Sequence, residues 1–179
     1  MPDEAAALVE AELPRLKQVA ALGPVLDLAC GSGRNALALA AAGLRTVGID
    51  RDRAPLLALR EAARGRGLAV AALVADLETA RGIPLASGSC GAVLVFRYLH
   101  RPLAAEIERV LHPGGLLLYE TFTLRQRELA QHPRNPAFLL EPGELPRLFP
   151  GLAVLRAEEA LVSAPEPAAV ARLVARKPG

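Results

Sequence analysis

The feature that most constrains this chain is a glycine turn, 31–33, between an apolar run and a stretch rich in alanine and leucine. The apolar run 25–28 predicts a strand, and residues 34–42 predict a helix that ends at Gly43. Glycine lets a ligand approach the main chain closely, and a helix N-terminus presents unpaired N–H groups. The sequence therefore predicts a strand, a ligand-binding loop and a helix in succession.

A second apolar run ends in Asp50, roughly 20 residues beyond the turn, as in nucleotide-binding sheets. A carboxylate at this strand end can accept the two O–H donors of a ribose. Gly31, Gly33 and Ala36 also have the spacing of the dinucleotide fingerprint in its Gly/Ala form, so NAD is one candidate ligand. A glycine turn without a ligand, in which Asp27 only caps the next turn, is another interpretation.

Strands and helices alternate through most of the remaining chain. We predict further strands at 45–49, 69–74, 92–96 and 116–120. We predict further helices at 53–64, 102–111 and 141–149. The run 92–96 is apolar throughout, which is typical of a strand buried on both faces of a parallel sheet. Residues 152–162 and 168–175 predict two strands that pair antiparallel, because no crossover helix fits between them.

This pattern predicts an α/β fold: a doubly wound, mostly parallel sheet with helices on both faces and an antiparallel last strand. The 179 residues suit a single domain, 1–179, with a helical segment at 1–22 that we expect Pro14 to break in two. Ligands of such sheets bind beyond the carboxyl ends of the strands. The polar residues of this chain cluster at those ends, in Asp50, Asp76, residues 97–101 and Glu120.

Composition narrows the class of partner. A net charge of +2 and an aromatic content of 3% do not favour a nucleic-acid binder. The cysteines, Cys30 and Cys90, have no metal-ligand spacing, so we predict reduced thiols, no metal and a cytoplasmic protein. Residues 2–4 are acidic where a signal peptide would be basic, and no uncharged apolar run reaches membrane length, so we expect no membrane partner.

Taken together, these motifs resemble the class I methyltransferases that depend on S-adenosylmethionine (SAM), over nearly the whole chain. Motif I corresponds to 25–38 and motif IV to 96–100, and the turn 111–115 before the fifth strand is a further family mark. The resemblance implies a Rossmann-like methyltransferase fold with seven strands. Residues 30–35, Cys-Gly-Ser-Gly-Arg-Asn, are similar to the tellurite-resistance-type branch, in which Arg-Asn follows the glycine loop.

The resemblance also implies a set of SAM-binding residues. The loop holds the methionine part, Asp50 the ribose and Asp76 the adenine amine, while Leu77 and Arg51 flank the ring. The whole predicted set is Asp27, Ala29, Cys30, Gly31, Gly33, Arg34, Asn35, Asp50, Arg51, Asp76, Leu77, Phe96 and Arg97. Ala29 stands where the family usually has its first glycine. Asp27 favours SAM over NAD, because a carboxylate repels a pyrophosphate and attracts an ammonium and a sulfonium.

Candidates for the chemistry follow the fourth strand. Arg97, Tyr98 and His100 are the predicted catalytic residues, with Tyr98 or His100 as the base if the acceptor must lose a proton. Alternatively, His100 lies at the entry to the next helix and has no catalytic role, because its hydrogen bonds are made with the backbone. An anionic substrate could be received by arginines at four positions, Arg97, Arg101, Arg125 and Arg134. We expect Glu120 to orient the acceptor or neutralise one of them.

The predicted function is methyl transfer from SAM to a small molecule, such as a chalcogen or metalloid oxyanion or a thiol. A non-catalytic SAM-binding protein and an NAD-binding protein are the alternatives, and the oligomeric state is open. Residues 135–138, Asn-Pro-Ala-Phe, differ from the motif of nucleic-acid amino-methylating enzymes in their place after the fifth strand and in their third residue. The polar segment 121–140 is long for a connection, so we expect it to contact the substrate as a lid.

Overall fold

The structure, a computed structural model, describes residues 5–129, 132–163 and 167–179. Its helices are α1 (Ala7–Gln18), α2 (Arg34–Ala41), α3 (Arg53–Gly65), α4 (Ala104–Val110) and α5 (Glu144–Arg147). Its strands are β1 (Val25–Leu28), β2 (Thr46–Asp50), β3 (Val70–Val74), β4 (Cys90–Phe96), β5 (Leu111–Phe122), β6 (Ala153–Val162) and β7 (Ala168–Arg176). Short 3-10 helices cover Ala20–Leu22, Arg101–Leu103, Leu124–Glu128 and Pro136–Phe138.

One seven-stranded sheet organises the fold, in the order β3-β2-β1-β4-β5-β7-β6. The first five strands pair in parallel, whereas β7 runs antiparallel to both β5 and β6. The prediction of a doubly wound, mostly parallel sheet with an antiparallel last strand is therefore confirmed. The strand order reverses between β1 and β4, and a ligand crevice is expected beyond the carboxyl ends of these strands.

Each face of the sheet packs against helices because alternate side chains of a strand point to opposite faces. Leu26 and Val93 belong to the core that contains residues of α4 and α5. Val25 and Leu94 lie on the other face, in a core with α1 and α2, and α3 packs beside α2 in a third cluster. Among the described residues, no helix has both the length and the apolar character needed to span a bilayer.

Several boundaries shift by a few residues, as in α5, which covers Glu144–Arg147 and not 141–149, and two further features differ from the sequence prediction. Pro14 lies inside α1 without breaking it, since Leu8, Val9 and Leu16 are buried along the helix and their packing offsets the hydrogen bond that proline cannot donate. The fifth strand begins at Leu111 and not at residue 116. Leu111 pairs with Cys90 before the turn residues bulge out of the ladder.

Candidate cofactor and acceptor site

The loop between β1 and α2 is tightly packed beneath the ligand edge. Gly31 and Gly33 adopt positive φ angles of 55° and 76°. A Cβ atom on Gly33 would lie 2.5 Å from Cδ1 of Leu59, a buried residue of α3. A Cβ atom on Gly48 of β2 would lie 2.8 Å from the Sγ atom of Cys30. The absence of side chains at Gly33 and Gly48 therefore brings the loop against α3 and β2.

Ala29 is the exception in this loop, because it adopts a positive φ of 51° although it carries a Cβ atom. The left-handed conformation costs a non-glycine residue about 1–2 kcal/mol. Ala29 lines the cavity described below. The loop thus keeps the backbone shape that glycine favours and adds one methyl group to the cavity wall.

Asp50 fixes the end of β2 to the glycine loop. Its Oδ2 atom accepts a hydrogen bond from the Gly31 amide at 2.8 Å, and its Oδ1 atom accepts one from the Asp52 amide at 3.0 Å. Each carboxylate oxygen has a second lone pair, so these bonds leave acceptor capacity for hydroxyl donors. Asp50 is half-buried and lines the cavity, which places that capacity towards a ligand.

Asp27 lies beneath the loop and is only 2% exposed. Burial raises the pKa of its carboxyl from 3.8 to about 7, and nearby Asp50 adds to the rise. The Ala36 amide, at the start of α2, and the charge of Arg34 act in the opposite direction. Asp27 does not line the cavity, and its neighbours include the Ala36 amide and Arg34 at the start of α2.

A cavity of about 620 Å³ opens beyond the carboxyl ends of the parallel strands. Residues from the ends of β2 and β3 supply its acidic groups: Asp50, Asp52, Asp76 and Glu78. Residues from the ends of β4 and β5 and from the 121–140 segment supply the groups on the other side: Arg97, Phe122, His132, Pro133 and Phe138. Ala29, at the end of β1, lies between the two sets in strand order. The cavity thus has an acidic side and a side that carries an arginine and aromatic rings.

The acidic side is shaped by the turn after β3. The Asp76 Oδ1 atom accepts a hydrogen bond from the Glu78 amide at 2.9 Å, and Leu77 between them is buried. The Tyr98 hydroxyl lies 3.5 Å from Oε1 of Glu78, across from this turn. Burial, together with the charges of Glu78 and Asp76, raises the pKa of Tyr98 to about 12. Tyr98 therefore stays a protonated phenol at neutral pH, which argues against its predicted role as a base.

Arg97 is held on the other side of the cavity by its neighbours on β5. Its amide donates to the Glu120 carbonyl at 2.8 Å, and its Nε atom lies 3.4 Å from Oε1 of the same residue. Its guanidinium carbon lies 4.7 Å from the centre of the Phe122 ring. Like Ala29, Arg97 has a positive φ, here 58°. The contact with Arg97 agrees with one of the two roles predicted for Glu120, which also pairs with Arg172, an arginine outside the predicted set.

Of the residues predicted for the cofactor and the chemistry, Ala29, Asp50, Arg51, Asp76, Leu77, Arg97 and Tyr98 line the cavity. The others do not: Asp27, Cys30, Gly31, Gly33, Arg34, Asn35, Phe96 and His100. Asn35 accepts a hydrogen bond from the Ala6 amide at 2.9 Å, and the Phe96 ring lies in the core beneath α1. The His100 carbonyl accepts from the Leu103 amide at the entry to the helix.

Sequence reasoning did not single out Asp52, Ala75 and Glu78, which line the cavity. It covered other lining residues only as members of the predicted ranges 97–101 and 121–140, without naming them for the cavity: Leu99, Thr121, Phe122, Pro133 and Phe138. One signal for two of them was available. Phenylalanine occurs four times in the chain, and Phe122 and Phe138 fall within or beside the polar 121–140 segment. An aromatic ring in such a segment, partly exposed, is a candidate for ligand contact.

The 121–140 segment folds back on its own start. The Leu140 amide donates to the Phe122 carbonyl, and the Leu124 amide donates to the Leu140 carbonyl. Between these points, the described residues Gln126 and His132 are linked, because the Gln126 Nε2 atom donates to the His132 carbonyl. Gln126 is fully buried, and its Oε1 atom accepts from the Ala169 amide at 2.8 Å. The segment is thus attached to β7 where it contributes to the cavity.

Arg101 supports this segment and does not line the cavity. It forms an ion pair with Glu144 and donates to the carbonyls of Ala137 and Leu139 at 3.0 and 2.9 Å. These carbonyls flank Phe138, which does line the cavity. The predicted role of Arg101 as a direct receiver of an anion is not supported by this arrangement, because the guanidinium already bonds a carboxylate and two carbonyls.

The remaining two arginines of the predicted anion site lie away from the cavity lining. Arg125 is exposed and lies 3.8 Å from Glu128, and Arg134 donates to carbonyls of its own segment. Within the described part of the chain, no group of three or more histidine, cysteine, aspartate or glutamate residues has the arrangement of a metal site.

A family model described as a methyltransferase domain matches residues 25–115. The fold is shared with TehB from Haemophilus influenzae (TM-score 0.76, 19% identity, covering 95% of this chain and 61% of that one). It is also shared with a SAM-dependent methyltransferase from Methanosarcina mazei (TM-score 0.72, 19% identity, 98% and 99% covered) and with the cyclase SpnF (TM-score 0.71, 21% identity, 98% and 84% covered). No curated protein sequence matches the chain.

Proposed function

The chain belongs to the methyltransferase-domain family, whose cofactor is SAM, and we propose that it transfers a methyl group from SAM to a small-molecule acceptor. The observation that carries this proposal is the two-sided cavity at the carboxyl edge of the sheet. Its acidic side suits the hydroxyl and amine donors of the cofactor. Its other side leaves room for an acceptor beside the end of β4, in a volume typical of small-molecule sites.

The residues present fit SAM. Asp50 has acceptor capacity beyond its two backbone bonds, which suits a ribose diol. Asp76 follows β3 on the same side and suits the adenine amine, with buried Leu77 as an apolar neighbour of the ring. Ala29, at the start of the glycine loop, would face the methionine part. Arg51 and Arg97 complete the predicted set that lines the cavity.

SAM supplies an electrophilic methyl group whose leaving group departs without acid catalysis. The chain's own residues are left to hold the acceptor in line and to exclude water, which provides most of the acceleration in such a displacement. Tyr98 contributes as a hydrogen-bond donor, because its hydroxyl is protonated at neutral pH. Phe122, Pro133 and Phe138 contribute apolar surface that excludes water from the acceptor side.

The 121–140 segment is the acceptor-side element of this proposal. It supplies His132, Pro133 and Phe138 to the cavity and is attached at Gln126 and through Arg101. A cover built from a long connection at the ligand edge is common in enzymes that must shield a reaction from water. We propose that the segment covers the acceptor, and that 1–179 works as a single domain.

We further propose a class of acceptor. The Arg34–Asn35 pair after the glycine loop supports a chalcogen or metalloid oxyanion or a thiol, through the resemblance to the tellurite-resistance-type branch. The likeness to TehB and to SpnF shows the fold alone, and one fold hosts many reactions. The two thiols, Cys30 and Cys90, form no disulfide, which supports a cytoplasmic location.

The test begins with equilibrium dialysis of the protein against SAM and against NAD. We expect SAM to bind and NAD to bind far more weakly, and tighter binding of NAD would overturn the proposal. A panel of thiol, selenium, tellurium and oxygen acceptors is then screened for formation of S-adenosylhomocysteine. SAM binding without turnover on any acceptor in the panel would favour a non-catalytic SAM-binding protein.

A further inference from the structure

We propose that β6, an edge strand of the sheet, pairs antiparallel with β6 of a second copy of this chain, so that the two sheets join into one. In the sheet order β6 comes last, and among the described residues its ladder is with β7 alone. None of the ten residues of β6 lines the cavity, so this surface is separate from the candidate active site.

The outer edge of β6 is long and exposed. Seven of its ten residues are exposed and three are half-buried, whereas most residues of β7 are buried. An edge strand presents a row of N–H and C=O groups to any strand that can pair with it, and soluble proteins usually shorten or cover such an edge. The opposite edge of the sheet is treated in this way, because β3 has five residues and the Arg60 guanidinium donates to the Ala72 carbonyl. The length of β6 therefore points to a strand as its partner.

Apolar side chains are exposed at both ends of β6. Val154 and Leu155 are 50% and 46% exposed near its start, and Leu161 is 58% exposed near its end. In an antiparallel pair of identical strands, the start of one strand lies beside the end of the other. The pairing therefore brings apolar residues of the two copies together and removes them from water.

The charged residues of β6 lie between these apolar ends. Glu159 accepts a hydrogen bond from the Gly143 amide, at the start of α5, at 2.7 Å. Arg156 and Glu158 lie on the other face of the strand, where the Nη2 atom of Arg156 is 2.9 Å from both carboxylate oxygens of Glu158. The bulge in β6 lies before Arg156, so side chains alternate regularly over 156–162.

The symmetry of such a dimer limits the possible registers. A two-fold axis normal to the joined sheet keeps every residue on its own face, so it passes through one residue of β6 and pairs the neighbours symmetrically. An axis through Arg156, Glu158 or Glu159 sets like charges opposite each other, which destabilises a strand pair. An axis through Ala160 or nearer to either end pairs fewer residues of β6. An axis through Ala157 sets Arg156 opposite the partner's Glu158 and leaves only methyl groups at the centre.

This register closes a ring of four alternating charges. Each Arg156 guanidinium lies between its own Glu158 and the partner's Glu158, and each of these carboxylates lies between two guanidiniums. Arg172 of β7 adds a third cation 3.4 Å from Glu158, so this carboxylate stays compensated. A charge pattern that complements its own reverse is what a symmetric interface requires, and it selects a second copy over an unrelated strand.

Mixing two charge-reversed variants tests the partner and the register together. Arg156→Glu and Glu158→Arg each set like charges opposite each other in their own dimer. We therefore expect the dimer dissociation constant of each variant, measured by sedimentation equilibrium, to rise at least about tenfold above that of the wild type. An equal mixture of the two restores both opposite-charge pairs, so we expect heterodimers whose affinity is within about threefold of the wild type. Arg64→Glu, the same change at an exposed position near the end of α3, should dimerise as the wild type does.

Disulfide cross-linking is the second measurement, and it serves if the charge-reversed variants do not fold. Ala157→Cys places a thiol opposite its own counterpart at the axis, where a disulfide can form. Ala153→Cys is the matched control, because its counterpart lies at the far end of the joined strands. Under mild oxidation we expect Ala157→Cys to form a cross-linked dimer and Ala153→Cys to remain largely uncrosslinked. Both variants retain Cys30 and Cys90, so the wild type is the blank.

A wild type that stays monomeric at every concentration would overturn the inference in favour of another kind of partner for β6. A dimer that both charge-reversed variants preserve would overturn it as well, since the interface would then lie elsewhere. A mixture without heterodimers, or equal cross-linking of the two cysteine variants, would refute the register through Ala157 and the proposal with it. All of these measurements use the protein without SAM, so their failure is distinct from failure of the proposed function.

Discussion

The Gly31 amide donates a hydrogen bond to Oδ2 of Asp50 at 2.8 Å, which joins the loop after β1 to the end of β2. The same carboxylate receives the Asp52 amide on its other oxygen. Asp50 thus shapes the loop and lines the cavity, where we propose that it binds the ribose of SAM. A change at this position should therefore alter both stability and cofactor binding.

We expect Asp50→Ala to weaken SAM binding by about 1–3 kcal/mol, the scale of a lost hydrogen bond to a charged group. The free energy of unfolding should fall by about 1–3 kcal/mol as well, because the Gly31 amide loses its acceptor. Calorimetry with SAM and denaturant unfolding measure the two effects, and Glu61→Ala on the exposed face of α3 is the control. Normal SAM affinity in Asp50→Ala would contradict the ribose assignment.

Gly33 and Leu59 make a close contact that a double-mutant cycle can measure. Gly33→Ala should destabilise the fold by about 1–3 kcal/mol, because the new methyl group meets Cδ1 of Leu59 and the residue has a positive φ. In a Leu59→Ala background the same substitution should cost less, since only the backbone strain remains. Equal costs in both backgrounds would show that the side-chain contact is unimportant.

Ala29 offers a substitution that we expect to stabilise the protein. Ala29→Gly relieves left-handed strain of about 1–2 kcal/mol at the cost of about 0.5–1 kcal/mol in backbone entropy. The net gain in the free energy of unfolding should be up to about 1.5 kcal/mol. Ala38→Gly, inside α2, is the matched control and should destabilise by about 1 kcal/mol. A loss of stability in Ala29→Gly would contradict the strain argument.

The sequence was sufficient to predict the sheet, and with it which polar residues lie at strand ends. Asp50 and Asp76 follow apolar runs, and parallel strands bring such positions to one edge whatever the details of packing. The direction of a side chain was not predictable in the same way. Asn35 follows the glycine loop in sequence yet turns to the Ala6 amide, and Phe96 enters the core because alternate residues of β4 face α1.

Long-range partners account for the rest of what the sequence left open. From the sequence alone, Arg101 was as good a candidate for binding an anion as the other three arginines. Its ion pair with Glu144, 43 residues away in the chain, is what distinguishes it. Arg172 was not singled out at all, because its relation to Glu120 depends on the register of β5 and β7. Contacts of this kind arise from tertiary packing and leave no local periodicity to detect.

Asp27 should make stability depend on pH. Its pKa is near 3.8 in an unfolded chain and about 7 in the fold, so between these values the folded state holds a proton that the unfolded state releases. The contribution of Asp27 to stability is therefore complete below about pH 4 and is lost as the pH rises through about 7, by at most about 1.4 kcal/mol per pH unit.

Asp27→Asn removes this titration and keeps an oxygen that can accept from the Ala36 amide. We expect the variant to gain stability relative to the wild type between about pH 5 and about pH 8, measured as the difference in free energy of unfolding. Asp52→Asn, at an exposed carboxylate, should show no such gain. Parallel pH profiles for Asp27→Asn and the wild type would rule out a raised pKa at this position.

Arg101→Lys tests whether the 121–140 segment covers the acceptor. Lysine keeps the charge opposite Glu144 but cannot also hold the carbonyls of Ala137 and Leu139, so the turn that carries Phe138 should loosen. We expect turnover with the acceptor found in the screen to fall about tenfold while SAM affinity stays within about threefold, because the residues that we propose to bind SAM come from β1 to β4. Hydrogen exchange should be faster at residues 136–140.

If Arg101 instead binds the acceptor through its charge, the lysine variant would preserve much of the affinity for the acceptor, and residues 136–140 would exchange as in the wild type. Loss of SAM binding in Arg101→Lys would show that the segment belongs to the cofactor side of the cavity.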